Sequence, residues 1–231
     1  MPSATPKRKV GRPPNAEQHA RRAEEILAAA TRLIAAEGYS NADTQLLADQ
    51  LQIGKGTLFR YFPTKQALFL ATVDRAMQRL KAAVDQQVEQ ETDPLRRVAR
   101  GIHAYLGFFD ENRQFVELLI QERAQFKDRR KPTYFQHRDA NLGPWQELFR
   151  QLIAAGRVRE MRAERITSIL SNLVYGTMFT NYFAGRDEPL EHQADDILEI
   201  VFHGILTGDE KICLRSQAEG LAAKERKGRR R

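Results

Sequence analysis

The stretch "LLADQLQIGKGTLFRYFPTKQALF" (residues 46–69) decides how the rest of the chain is read. Leu47, Ala48 and Leu51 recur at helical spacing, and a polar joint, Gln52-Ile53-Gly54-Lys55, interrupts the pattern. Residues 55–61 then form a second, short helix that Pro63 ends. Leu58 and Phe62 fall on its inward side. Lys55, Gly56, Thr57, Phe59, Arg60 and Tyr61 crowd onto what remains. So many polar and basic groups on about two turns, held between apolar anchors, raise the question of what they touch.

Upstream, Ile26, Leu27, Ala30, Leu33 and Ile34 predict a helix over 20–37, stopped by Gly38. Asp43 is placed to cap the next helix, about 44–51. Three small helices with a tight turn between the last two make a helix-turn-helix. The second helix of such a pair fits the major groove of duplex DNA and offers its first residues to base edges. Lys55 can donate to a guanine or grip a phosphate, and both options stay open. Thr57 can bond a base or offer its methyl to thymine. Gly56 lets backbone approach closely. Tyr61 and Lys65 can hold phosphates and fix register, and Thr44 can meet a phosphate at the entry of its helix.

The register "TQLLADQLQIGKGTLFRYFPTKQALF", preceded by "LIAAEGY", resembles the helix-turn-helix of TetR-type transcriptional regulators. Leu47-Ala48, Ile53, Gly56-Thr57-Leu58-Phe59, Tyr61-Phe62 and Lys65-Gln66-Ala67-Leu68 fall on that family's pattern over residues ~22–70. Two positions depart from it: Gln52 stands where the family's turn has Gly, and Gly54 where it has a Ser cap. Gln52 must take the turn's backbone without glycine's freedom. The resemblance implies an all-α protein: a DNA-binding domain at 19–66, then a helical ligand-binding and dimerisation domain at 67–208. It implies a homodimeric regulator, usually a repressor, that binds a palindromic double-stranded DNA operator and responds to a small-molecule effector.

Charge follows the same division. The chain of 231 residues carries +7, split as +4 over 1–66, −3 over 67–210 and +6 over 211–231. Basic ends suggest a polyanion. The arm 1–18 contains "KRKVGRPP", whose Arg12 can enter a minor groove or simply add counterion-release affinity. The tail 209–231 ends "KERKGRRR". A DNA-organising protein that uses these tails without a sensor is the alternative reading. No run of 18 apolar residues points to a membrane, and no apolar leader opens the chain. Cys213 is the only cysteine, so no internal disulfide forms, which fits a cytoplasmic protein associated with the nucleoid when bound to DNA. No catalytic constellation, cofactor motif or metal-ligand spacing is visible.

Beyond Pro63 the pattern stays helical. A long helix over 64–90 would span about 40 Å, and Pro94 suits the first turn of the next. Further helices are expected at 94–109, 112–125, 134–156, bent by Pro144, 163–184 and 190–207. Phe108, Phe109, Phe115, Trp145, Tyr175, Phe179 and Tyr182 are candidates to line an effector pocket for an apolar or aromatic ligand, or simply to pack. Leu170, Leu173, Val174 and Thr177 of one helix and Ile197, Val201 and Ile205 of the other are candidates for a two-fold interface, or for monomer core.

Overall fold

The structure is a computed structural model that describes residues 16–185 and 190–203, all of it helix, turn and loop. Nine helices occur among the described residues, and each border has a local cause. α1 (Ala16–Asn41) breaks at Gly38, whose φ of 78° and ψ of 156° suit only glycine without strain. One more turn follows, closed by the Ala42 amide on the Gly38 carbonyl at 3.0 Å. α2 (Thr44–Gln50) begins where Asp43 accepts from the Gln45 amide at 2.7 Å. The joint turns on Gln52, the only non-glycine among the described residues with positive φ, at 53°. α3 (Lys55–Tyr61) starts at Gly54 with no side-chain cap. α4 (Lys65–Glu89) is capped by Thr64 on the Ala67 amide at 2.9 Å.

α5 (Pro94–Glu111) starts with proline behind an Asp93 cap, as its sequence predicts. α6 (Arg113–Gln125), α7 (Thr133–Ala154) and α8 (Ala163–Ala184) follow. α7 runs as one helix through Pro144, and α8 stops at Gly185 in the left-handed region. α9 (Leu190–His203) is the last described element. Arg12, Ile205, Cys213 and the tail 209–231 lie outside the described residues.

Two apolar clusters hold the helices. In the first, Ile26, Ile34, Leu47, Leu58, Phe69 and Met77 of α1–α4 pack with Phe109, Phe115 and Leu118 of α5 and α6. The helix-turn-helix is therefore fused to the larger helical body through a shared core. Burying each such side chain contributes about 1.5–3 kcal/mol. The second cluster joins Val98, Ile102 and Leu106 of α5 to Phe149 and Leu152 of α7, Leu170 and Val174 of α8, and Ala194 of α9. Between α6 and α7 one carboxylate is buried: Glu122, 2% exposed, accepts from the Thr133 amide at 2.9 Å and hydroxyl at 2.8 Å and pairs with Arg129. A buried charge held this way avoids the desolvation penalty of an unpaired one.

A polar suture crosses from the body to the kink of α1. Gln121 of α6 accepts from the Tyr39 amide at 3.0 Å and donates to Glu117 at 2.7 Å. Lys65 donates to the Ser40 carbonyl at 3.0 Å, with its ammonium 5.1 Å from the Tyr39 ring centre.

Candidate functional site

α3 is anchored by Leu58, which is fully buried, with Phe62 half-buried behind it. Lys55, Gly56 and Arg60 are exposed, while Thr57 and Phe59 are half-buried at the edge. A Cβ at Gly54 or Gly56 would meet nothing within 4 Å, so the entry of α3 is open to an approaching surface. Neither Lys55 nor Arg60 forms an ion pair among the described residues. Their charges face outward from a rigid base, an arrangement that suits phosphates and base edges. Thr44 is half-buried beside the Asp43 cap. Tyr61 stacks on His19 of α1, with ring centres 4.3 Å apart. Lys65 is half-buried and tied to the kink of α1, so its charge serves the fold as the structure stands.

The larger body holds a cavity of about 540 Å³, open to solvent on one side, between α4, α5, α7 and α8. Apolar side chains line its depth: Leu80 and Val84 from α4, Val98 and Ile102 from α5, Leu148 and Phe149 from α7, Leu170 and Val174 from α8. Charged groups of α4 and α7, among them Lys81, Asp85, His137 and Arg138, sit where the walls meet solvent. Trp145 lines the cavity with its indole against Gly101 of α5. It is the one residue of the expected aromatic set on this wall. Phe108, Phe109 and Phe115 are buried against one another in the first core cluster, at centroid distances near 5.4–5.5 Å. Tyr175 packs tilted against Tyr134 and meets Phe179 edge-on, and Tyr182 donates to Glu117 at 2.6 Å.

Two residues absent from that expectation are the polar centre of the cavity. Tyr105 of α5 and Tyr134 of α7 share a hydroxyl–hydroxyl bond of 2.9 Å, and both line the cavity. Burial pushes the Tyr105 phenol well above its usual value and raises Tyr134 to about 12. Both stay protonated at physiological pH. Each tyrosine follows a small residue, Ala104 or Thr133, and the two are far apart in sequence.

The expected interface residues divide between two faces of α8. Leu170 and Val174 are buried in the second core and line the cavity instead of a free surface. The outward stripe lies one position earlier on the helix, at Ile169 (44% exposed), Leu173 (39%) and Phe183 (69%). Thr177, Ile197 and Val201 are half-buried, and Ile200 and Phe202 of α9 are exposed. No helix among the described residues is long and apolar enough to cross a membrane.

Residues 26–72 match the model of the bacterial regulatory proteins of the tetR family. The nucleoid occlusion factor SlmA of Vibrio campbellii is 28% identical over 110 residues, 47% of this chain and 56% of that protein. The chain thus spans about half the length of the curated relatives it matches. The transcriptional regulator FadR of Bacillus subtilis, solved with stearoyl-CoA, superposes with a TM-score of 0.66 at 16% identity, covering 79% of this chain and 99% of that one. PfmR of Thermus thermophilus, a TetR family transcriptional regulator, gives 0.63 at 20% identity, covering 79% and 99%. At these identities the structural likeness shows the fold: an N-terminal helix-turn-helix with a helical C-terminal domain.

Proposed function

We propose that this chain, whose residues 26–72 match the tetR family model, is a DNA-binding transcriptional regulator, acting as a homodimer on a two-fold operator and released by a small apolar effector. The observation that carries the reading is the outward set Lys55, Gly56, Thr57 and Arg60 on a helix whose inward residue, Leu58, is fully buried. A reading helix needs that rigidity to hold side chains in register with base edges. Thr44, Phe59, Tyr61, Lys65 and, from the arm, Arg12 complete the proposed contact set.

The exposed side chains of Ile169, Leu173, Phe183, Ile200 and Phe202 support pairing through α8 and α9, because large apolar groups left in water on neighbouring helices favour a partner. Such pairing sets two copies of α3 on one face of a duplex. The cavity supports an effector. Effector binding shifts the population between operator-fitting and non-fitting states, by at most its differential affinity for the two. Similarity to a nucleoid occlusion factor favours a second reading, a protein that organises DNA without a sensor.

Operator fragments selected by the purified protein from random duplexes provide the test, with affinity measured across salt concentrations. Lys55→Ala is expected to weaken binding and lower the slope of log K against log salt by about one, and Thr57→Ala to relax sequence preference. Unchanged affinity in Lys55→Ala/Arg60→Ala overturns the assignment of α3. Binding lost on deletion of residues 1–15, yet untouched by Thr57→Ala, supports the architectural reading instead.

A further inference from the structure

The paired phenols of the cavity wall have one hydrogen-bond donor left over. Thr167 returns its hydroxyl to the Ala163 carbonyl at 3.0 Å. The Tyr105–Tyr134 pair holds two hydroxyl hydrogens and uses one of them in its 2.9 Å bond. The second hydrogen belongs to whichever phenol accepts that bond, and both phenols border the cavity. A buried donor of this kind costs free energy until an acceptor meets it.

The charges at the mouth are largely spent. Lys81 pairs with Asp85, His137 with Asp74 at 2.6 Å and Arg138 with Asp139 at 2.7 Å. Arg97 gives two hydrogen bonds, at 3.2 and 2.8 Å, to the Glu91 carbonyl. Among the cavity's lysine and arginine side chains, Arg97 alone has no carboxylate partner, and its guanidinium is committed to that carbonyl.

We propose that the effector is a neutral, mainly aliphatic molecule with one hydroxyl or carbonyl oxygen, which accepts the unused phenol hydrogen of the Tyr105–Tyr134 pair. The proposal rests on the reading of this cavity as the effector site and adds the chemistry of its occupant. Because burial keeps both phenols protonated, the pair donates across the physiological range. An oxygen entering an apolar cavity without a partner loses its hydration and binds worse than the bare hydrocarbon. The phenol pair removes that penalty. A carboxylate gains the same hydrogen bond but brings an ionic charge among aliphatic walls, where the only unpaired arginine, Arg97, is already bonded to the Glu91 carbonyl.

The test uses the full chain and its own reporter, since Trp145 is the single tryptophan and lines the cavity. Its fluorescence is titrated with 1-octanol, octan-2-one, octanoate and n-octane. Octanol and octanone are expected to bind at least as tightly as octane, and octanoate about tenfold more weakly. In Tyr105→Phe/Tyr134→Phe, octanol and octanone are expected to fall about tenfold while octane holds. The octane arm shows that the variant keeps its cavity. Octane binding best in both proteins overturns the proposal, as does octanoate binding best with its advantage lost in Arg97→Ala. DNA release by the same probes is measured separately. Oxygen-dependent binding that leaves DNA affinity unchanged sinks the regulator reading and spares the cavity chemistry.

Discussion

The Tyr182 hydroxyl of α8 lies 2.6 Å from the Glu117 carboxylate of α6, and the other oxygen of that carboxylate accepts from Gln121 at 2.7 Å. Gln121 in turn receives the Tyr39 amide at the kink of α1. Three side chains thereby connect the helix that walls the cavity to the helix that carries the helix-turn-helix. Burial, and then the bond to Glu117, raise the Tyr182 phenol to about 12, so it remains a donor. Gln121→Ala is expected to cost about 1 kcal/mol in urea unfolding. Combined with Glu117→Ala, its effect should be less than additive, because the two share one network. Full additivity would mean that the chain of bonds is not a unit.

Gln52 sits at φ 53°, a region that costs a side-chain-bearing residue about 1 kcal/mol. Gln52→Gly relieves that strain and gives back part of the gain as unfolded-state entropy. A net stabilisation of about 0.5 kcal/mol is expected in denaturant melts. Gln52→Val should lose more than about 1 kcal/mol, since a β-branched residue tolerates this backbone worst.

Asp93 caps α5 and binds Arg157 at 2.7 Å. That bond, with the Arg96 and Leu95 amides, lowers its carboxyl from the usual 3.8 to about 2. A depressed carboxyl binds fewer protons folded than unfolded, so its contribution is complete above pH 3.8 and fades as pH falls through about 2. Melting temperature plotted against pH should therefore drop across this window. Asp93→Asn should lower the neutral-pH plateau and flatten that part of the acid limb. An identical acid limb in the variant would show that other carboxylates set it.

Gly101 lets Trp145 lie against α5. A Cβ there would come within 2.5 Å of the indole Cη2. Backbone cannot yield, so in Gly101→Ala the indole must swing toward the cavity. The expected result is a loss of about 1–3 kcal/mol, a shifted Trp145 emission maximum and weaker binding of octanol. Unaltered emission and binding would mean that the helices separate instead.

The elements that could be read beforehand are those with local causes. Asp43 accepts from a first-turn amide of its helix, Pro94 opens the first turn of α5, and Gly38 takes the positive-φ backbone that breaks α1. Gln52, a departure from the family's turn, holds the strained conformation its position demands. The faces of α8 were not legible in the same way. Apolar residues fall on more than one face of that helix, so Ile169–Leu173 and Leu170–Val174 satisfy the same helical spacing, and only packing against α5 and α7 decides which pair turns inward. The cavity wall was obscure for a related reason. Tyr105 and Tyr134 are 29 positions apart and meet only because α5 and α7 pack together, whereas Phe108, Phe109 and Phe115, near neighbours in sequence, fill one another's space.

Phe183 stands 69% exposed at the end of its helix, and Ile200 of α9 stands 54% exposed. If two copies cover these side chains with each other, the folded form becomes a quantity that dilution erodes. Its midpoint of unfolding then climbs with protein concentration, and in a cell the number of copies made would set how long each one lasts.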